Sequence, residues 1–485
     1  MKENASTRVG RLTFLSDADK QAIYDAALHI LAEVGMRLNH DEATALMITG
    51  GCTVDDDGRV HVPAKAVAAA RAAVPARFTM HDRDAGAAFS LGGYDAVFGT
   101  GSDLMNLYDL ESGARRESGL ADVSTAARLC DALPNIDFVM SAAYPHEVDP
   151  HRAYLEEFRA MLAGTIKPLV MTAEGLADLE LMWRVACELR GGEAALREAP
   201  YFIVYDQPSS PLEHPADSVD KLLFCADKAV PVVYSAAPLA GGTAPITVAG
   251  HVAQGLAESL FGLVLHQLRA PGAPFLIGEG PAVLDMATAQ SSYNAPEYLH
   301  AYACAVEIAK WLDIPNFGYG GTTDSQVVDA QAGLEVGECV TLSLLLGSNL
   351  NHDVGYLDFG LTGSFEQIVI VDEFIALSRR LFGGVEVSPD TLALDVIAAV
   401  GPGGDFLTQR HTAKRMRSAQ WRPTILNRKS HERWQDDGAP DLREAARRRA
   451  LELLRTHVAA PLDAGLKGRI DALVDGFAPR GRDRG

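Results

Sequence analysis

The sequence predicts an α/β fold and, within that class, a (β/α)8 TIM barrel with an N-terminal cap and a C-terminal helical extension. Three observations lead there. Short apolar segments alternate with helix-like segments eight times between residues 95 and 384. Those short segments are near-continuously apolar, as parallel strands covered on both faces must be. A dinucleotide-binding open sheet would carry a Gly-x-Gly-x-x-Gly turn in its first unit. The nearest candidate, Gly92-Gly93 through Gly101, lacks that spacing and opens no helix.

The strand-like segments fall at 96–100, 136–140, 167–172, 201–205, 231–235, 274–278, 315–319 and 349–354. The helix-like segments that follow them fall at 120–132, 151–163, 176–190, 216–228, 247–269, 296–312, 330–346 and 365–382. Residues 1–94 read as a helical cap with short strands: Ser16 can cap a helix running from Asp17 to Val34, and shorter helices follow at 41–48 and 63–73. Residues 385–485 form the extension, with Gly401-Pro-Gly-Gly404 and Trp421. It is either peripheral packing or a lid hinged at those glycines.

Composition narrows the function. The chain has 485 residues, 48% hydrophobic and 22% charged, which is ordinary for a globular protein. A net charge of -21 argues against nucleic acid and anionic membranes as partners, since both want a basic surface. The six cysteines are scattered without a paired spacing, so they are expected to be free thiols in a reducing compartment, with no zinc site. The N-terminal residues carry no apolar leader, and a cytoplasmic location is expected.

In a barrel the residues just past each strand form the site. Here they include Ser102, Asp103, Tyr144, Thr172, Asp206, Ser235, Glu279, Thr322, Thr323, Asp324, His352, Asp353 and Tyr356. The set holds no lysine suited to a Schiff base, and the chain has no Gly-x-Ser-x-Gly turn, so a protein nucleophile is poorly supported. His352 is either a satisfied core histidine or a binding and proton-handling group. Glu279, between two glycines, either meets a ligand or bonds to loop amides. Aromatics near the mouth, among them Phe98, Tyr144, Tyr205, Tyr234, Tyr319, Tyr356 and Phe359, either fill the core or cage a quaternary ammonium.

Several segments resemble the trimethylamine methyltransferase family of corrinoid-dependent amine methyltransferases. They are Asp109-Leu-Glu-Ser-Gly113, Ala132-Leu-Pro-Asn-Ile-Asp137, Ser210-Pro-Leu212, Lys221-Leu-Leu-Phe-Cys225 and Ala240-Gly-Gly-Thr-Ala-Pro245. Further along come Pro271-Gly-Ala-Pro274, Thr323-Asp-Ser325, Asp329-Ala-Gln331, Gly355-Tyr-Leu357, Gly363-Ser-Phe-Glu-Gln367, Gly401-Pro-Gly-Gly404 and Trp421-Arg-Pro423. Their order and spacing, from about residue 10 to near the C-terminus, carry the likeness. The resemblance implies a TIM barrel that demethylates an amine and passes the methyl group to Co(I) of a corrinoid (cobalamin) held by a separate corrinoid protein. No cofactor would then be bound permanently, and no catalytic residue is assigned, because the nucleophile is external.

Trimethylamine-specific relatives carry pyrrolysine in or close to the 320–329 turn, where this chain has standard residues. That favours a quaternary amine such as glycine betaine over trimethylamine. The substrate-binding residues expected from position are His352, Tyr356, Thr322, Thr323, Asp324, Glu279, Phe98, Tyr144, Tyr234 and Phe359. The protein is expected to be a homo-oligomer. Two other readings stay open: a non-catalytic barrel that binds quaternary ammonium, and an acid/base lyase or hydrolase using Asp324, His352 and Glu279.

Overall fold

The computed structural model describes residues 10–478. Seven parallel strands form its central sheet: β1 (Val97–Phe98), β2 (Leu169–Met171), β3 (Phe202–Asp206), β4 (Val232–Ala236), β5 (Phe275–Glu279), β6 (Asn316–Tyr319) and β7 (Leu350–His352). Their order is β1-β7-β6-β5-β4-β3-β2, every pairing parallel. Eight helices cover the outside: α1 (Leu120–Ala132), α2 (Ala153–Gly164), α3 (Leu176–Arg190), α4 (Ala216–Lys228), α5 (Val248–Arg269), α6 (Pro296–Leu312), α7 (Ala330–Leu346) and α8 (Phe365–Phe382). This is a mixed α/β fold with a curled, barrel-like sheet.

The strand expected at 136–140 does not form as a continuous element. Instead, isolated parallel bridges link Phe138 to Gly99 and Val139 to Leu169, so this segment touches both β1 and β2, the two edges of the sheet. Asp137 shows why the ladder breaks there. Its carboxylate accepts the Phe98 amide at 2.9 Å and the Arg379 guanidinium at 2.6 Å, a side-chain substitute for ladder hydrogen bonding.

Inside the sheet, Val97, Phe138, Met140, Val170, Ile203, Val233, Leu276, Phe317 and Leu350 pack into one cluster. Each strand contributes, as the two-residue alternation of strand side chains requires. A hairpin of Arg77–His81 and Ala87–Gly92, unforeseen from the sequence, adds Met80 and Leu91 to that cluster. It sits where the strands begin: the His81 amide donates to Pro200 O at 2.9 Å and the Arg83 amide to Ile166 O at 2.7 Å. The lower half of the sheet's interior is therefore a packed plug. We expect Leu276→Ala, at 0% exposure, to cost about 3 kcal/mol, read as a lower urea midpoint at unchanged slope.

The cap explains an oddity of α5, which is buried on nearly every face. Helices Asp17–His29 and Ala64–Ala73 pack on its outer side while β4 and β5 take its inner side. A helix covered twice must be apolar all round, which is why α5 is long and apolar enough for a membrane span although 83% of that window is buried. The cap is also stitched in by main chain, since Met36–Leu38 pairs parallel with Glu213–His214. The helix expected to reach Val34 stops at His29 and continues as a π turn, Ile30–Val34. Its wide Gly35 N to Ile30 O bond ends at a glycine with φ +71°.

The extension lies along the outer helices: its last helix, Ala464–Asp475, packs on α2 and α3, and the rest reaches the flank of α8 and α1. Helix Leu442–Thr456 packs on both. The Glu373 carboxylate, midway along α8, accepts the Thr424 and Ile425 amides at 2.8 and 3.2 Å. Arg380, in the last turn of α8, donates to the Ser418 and Ala419 carbonyls. All six cysteines are free, and five are buried.

Candidate active site at the strand ends

The alternation that fills the plug also builds the site. Two residues beyond Ile203, Val233, Leu276 and Leu350, the inward positions are Tyr205, Ser235, Gly278 and His352. Small residues on β4 and β5 thus sit beside rings on β3, β6 and β7. His352 stacks on Phe317, with centroids 4.0 Å apart and planes at 29°, and lies 4.9 Å from Tyr319. Tyr205 is 5.4 Å from Phe317 and 6.5 Å from His352. Tyr293, on the segment before α6, continues the wall 6.2 Å from Tyr319.

Carboxyl groups face this wall. His352 Nδ1 donates to Gly318 O at 2.7 Å, which turns Nε2 toward Asp353 Oδ1 at 3.3 Å. Asp353 is 6% exposed, and its other oxygen accepts the Thr322 hydroxyl at 3.1 Å. Burial pushes its carboxyl up, while His352 and Thr322 pull the other way. A Cβ on Gly101 would lie 2.1 Å from Asp353 Oδ1 and 2.3 Å from the Tyr356 hydroxyl. Tyr356 in turn donates to Ser102 O, and the Ser102 hydroxyl donates to Asp103 at 2.8 Å.

Asp103 holds a left-handed backbone, φ +63°. Burial raises its carboxyl, opposed by Ser102 and by the Tyr154 phenol from α2. Three residues along α2, Glu157 is 1% exposed, and burial and then Asp103 push it well above the usual carboxylate range. Burial likewise raises the phenols of Tyr205, Tyr293, Tyr319 and Tyr356. The charged neighbours of Tyr205, Tyr293 and Tyr356 are acids and other phenols.

Raised carboxyls fix the sign of a pH effect. A group whose folded pKa lies above its unfolded value binds protons preferentially in the folded state. Its stabilisation is full below about pH 4 and is lost as the pH climbs through the folded value. Asp103, Asp353 and Glu157 all act in that direction. Unfolding free energy should therefore decline across that window, and Glu157→Gln should flatten the slope in urea midpoints measured against pH.

Of the residues expected at the site, His352, Thr322 and Tyr356 come together around Asp353. Tyr144 lies on the Asp103–Glu157 side, half-buried and edge-on to His146 at 5.2 Å. Thr323 and Asp324 stand beside the site and position others. The Thr323 hydroxyl donates to Glu335, while Asp324 accepts the Tyr293 amide at 2.9 Å and so holds the segment that carries that ring.

Two aromatics are corrected. Phe98 and Tyr234 have the opposite strand parity and point outward, toward the helices. Phe98 lies under Arg379 of α8, and Tyr234 meets His214 at 2.7 Å and abuts Gly262 of α5. Phe359 sits half-buried in the 3-10 turn Asp358–Gly360, with φ +55°. The side chain of Glu279 lies outside the described residues. Tyr293, Phe317, Tyr154 and Glu157 were not among the residues expected at the site. Glu157 had a signal: it is an acid in the α2 stripe of Ala153 and Met161, both 0% exposed.

Rings and carboxyls are thus gathered at the C-terminal ends of a curled parallel sheet, the place where α/β proteins generally bind small molecules. The chain belongs to the trimethylamine methyltransferase (MTTB) family of methyltransferases, whose profile matches residues 2–478. It is 28% identical to trimethylamine methyltransferase MttB of Desulfitobacterium hafniense (strain DSM 10664 / DCB-2), over 96% of this chain and 94% of that one. It is also 28% identical to the glycine betaine methyltransferase of Desulfitobacterium hafniense (strain Y51), over 98% of each. Its fold resembles the Methanosarcina barkeri monomethylamine methyltransferase (MtmB), with a TM-score of 0.50 and 14% identity over 92% of this chain and 95% of that one.

Proposed function

We propose that this methyltransferase moves a methyl group from a quaternary amine to the Co(I) corrinoid of a separate protein, across the mouth of a (β/α)8 barrel. The observation that supports the reading is the wall of Tyr205, Phe317, Tyr319, Tyr293 and His352 facing Asp353 and Asp103. Aromatic faces and carboxyls both attract a cation, and the low dielectric of a buried site strengthens both.

The chemistry balances without a protein nucleophile. The N–CH3 bond breaks with its electron pair leaving on nitrogen, which departs as a neutral tertiary amine. The methyl carbon bonds to cobalt through the pair that Co(I) supplies, and the cobalt becomes Co(III). No general acid is required for that departure. The protein's work is to aim the methyl group along the barrel axis, keep water out and release the amine. Positive charge disappears during the step, so the wall orients the ground state rather than lowering the barrier directly.

The test mixes the protein with quaternary amines and free cob(I)alamin as the acceptor probe, and follows the visible spectrum. Amine-dependent growth of methyl-cobalt(III) absorbance with release of the tertiary amine is expected; amine binding with no transfer at any cobalamin concentration would leave a binding protein instead. Tyr319→Ala should raise the amine KM roughly tenfold, within the ~0.5–2 kcal/mol of one cation–ring contact, and change kcat less.

A further inference from the structure

We infer that the Asp103–Glu157 carboxyl pair supplies the counter-charge for the bound cation, and that it selects methylated ammonium compounds bearing no carboxylate of their own. This rests on reading the site as an amine site, and it deepens that reading.

Glu157 differs from the other buried glutamates in having neither a filled carboxylate nor an ion-pair partner: Glu307 and Glu366 each leave one oxygen without a hydrogen bond, but they face Lys20 and Arg443. Glu373 has its carboxylate filled by the Thr424, Ile425 and Leu426 amides. Glu258 accepts from Ser210, Leu212 and Gln254. Those two are structural groups with their lone pairs satisfied. Glu157 Oε1 and Asp103 Oδ1 are buried without a close hydrogen-bond partner; the Ser141 hydroxyl beside Glu157 and the Tyr154 phenol beside Asp103 offset the burial of each carboxyl only in part. Two buried carboxyl oxygens side by side are rarely left so weakly partnered unless something else completes them.

The pair is joined to the aromatic wall through Asp103. Ser102 holds Asp103 and accepts from Tyr356, whose hydroxyl lies with Asp353 Oδ1 against Gly101. Asp103 acts electrostatically on both Tyr205 and Tyr356. The groups around the pair come from three directions: Tyr154 from the same helix as Glu157, Ser141 and Tyr144 from the segment after Met140, and Glu174 beyond β2. None of these is a lysine or arginine. Among the described residues, Asp103 and Glu157 have no ion-pair partner, and the one recorded for Asp353 is His352.

A betaine would place its carboxylate in this setting. It would find three carboxyl groups and one histidine whose Nε2 already faces Asp353. Like charges in a buried site repel, so selection comes from an unfavourable contact as much as from a favourable one. A cation with a neutral remainder meets no such conflict. Its arrival also favours loss of a proton from the pair, so its affinity should rise with pH until the pair is ionised.

The experiment is titration calorimetry on the full-length protein with tetramethylammonium, choline and glycine betaine, at several pH values across neutrality. The two carboxylate-free cations are expected to bind about tenfold or more tighter than glycine betaine, with affinity increasing with pH. Glu157→Gln and Asp103→Asn should each lose most of that preference and flatten the pH dependence. Circular dichroism verifies that they fold, and the wild-type ligand series decides the question if either does not. Glycine betaine binding as tightly as choline to the wild type, or an undiminished preference in folded Glu157→Gln, overturns the inference. If glycine betaine also drives methyl-cobalt formation, only this inference falls; if no amine binds and no methyl-cobalt forms, the functional reading falls with it.

Discussion

Gly101→Ala is expected to abolish methyl transfer while leaving the fold standing. The added Cβ would lie 2.1 Å from Asp353 Oδ1 and 2.3 Å from the Tyr356 hydroxyl, distances no real methyl group tolerates. Both side chains must move, and both are tied into the site. Asp353 holds the Thr322 hydroxyl and faces His352, while Tyr356 holds the loop that carries Ser102 and Asp103. One methyl group thus disturbs the acidic and the aromatic sides together. The plug of Val170, Ile203, Val233 and Leu276 lies deeper and does not touch residue 101. Overpacking should cost about 1–3 kcal/mol of stability, whereas misplacing the substrate should cost 100-fold or more in kcat/KM. Gly280→Ala is the comparison: its Cβ would meet one atom closely, the Tyr319 hydroxyl at 2.7 Å, and a smaller loss is expected. The two variants are compared by urea midpoint and by the rate of methyl-cobalt formation. Wild-type rates in Gly101→Ala would remove Asp353 and Tyr356 from the site.

The eight helices were legible because each spans many residues and repeats its apolar face. Leu120–Ala132, Leu176–Arg190 and Phe365–Phe382 begin and end where the sequence pattern places them. The second strand was not, because Asp137 replaces ladder bonds with its own carboxylate, and a single polar residue in an apolar run does not announce that. The hairpin Arg77–His81 with Ala87–Gly92 escaped because its apolar residues, Phe78, Met80, Phe89 and Leu91, serve an interior that exists only once the sheet has curled.

The site was partly legible for the same reason. Strand ends could be located, which put His352, Thr322 and Tyr356 in place. Strand parity, available from the same pattern, separates Tyr205 from its outward counterpart Tyr234 and would have excluded Phe98. Glu157, carried on α2, showed only as an acid within an apolar stripe, and Tyr293, held by Asp324 from the next strand end, showed in no local pattern. Both reach the site through tertiary contacts between segments far apart in the chain.

His352→Ala is expected to lose amine binding and about 3 kcal/mol of stability together. Three separate interactions end at this ring. Its face rests on Phe317 at 4.0 Å and on Tyr319 at 4.9 Å, so truncation opens space beside two buried aromatics. Its Nδ1–H to Gly318 O bond ties β7 to β6 outside the strand ladder. Its Nε2 faces Asp353, and without it the buried carboxyl keeps Thr322 as its hydrogen-bond partner. A buried carboxyl deprived of a partner costs roughly 1–3 kcal/mol. His352→Gln separates the parts. Its amide can donate to Gly318 O or approach Asp353, yet it has no aromatic face. We expect it to recover much of the lost stability in thermal unfolding while amine affinity, measured by calorimetry, stays down by about tenfold. If instead the glutamine variant binds amines like the wild type, the ring is not part of the ammonium wall, and His352 serves only to brace β7 against β6.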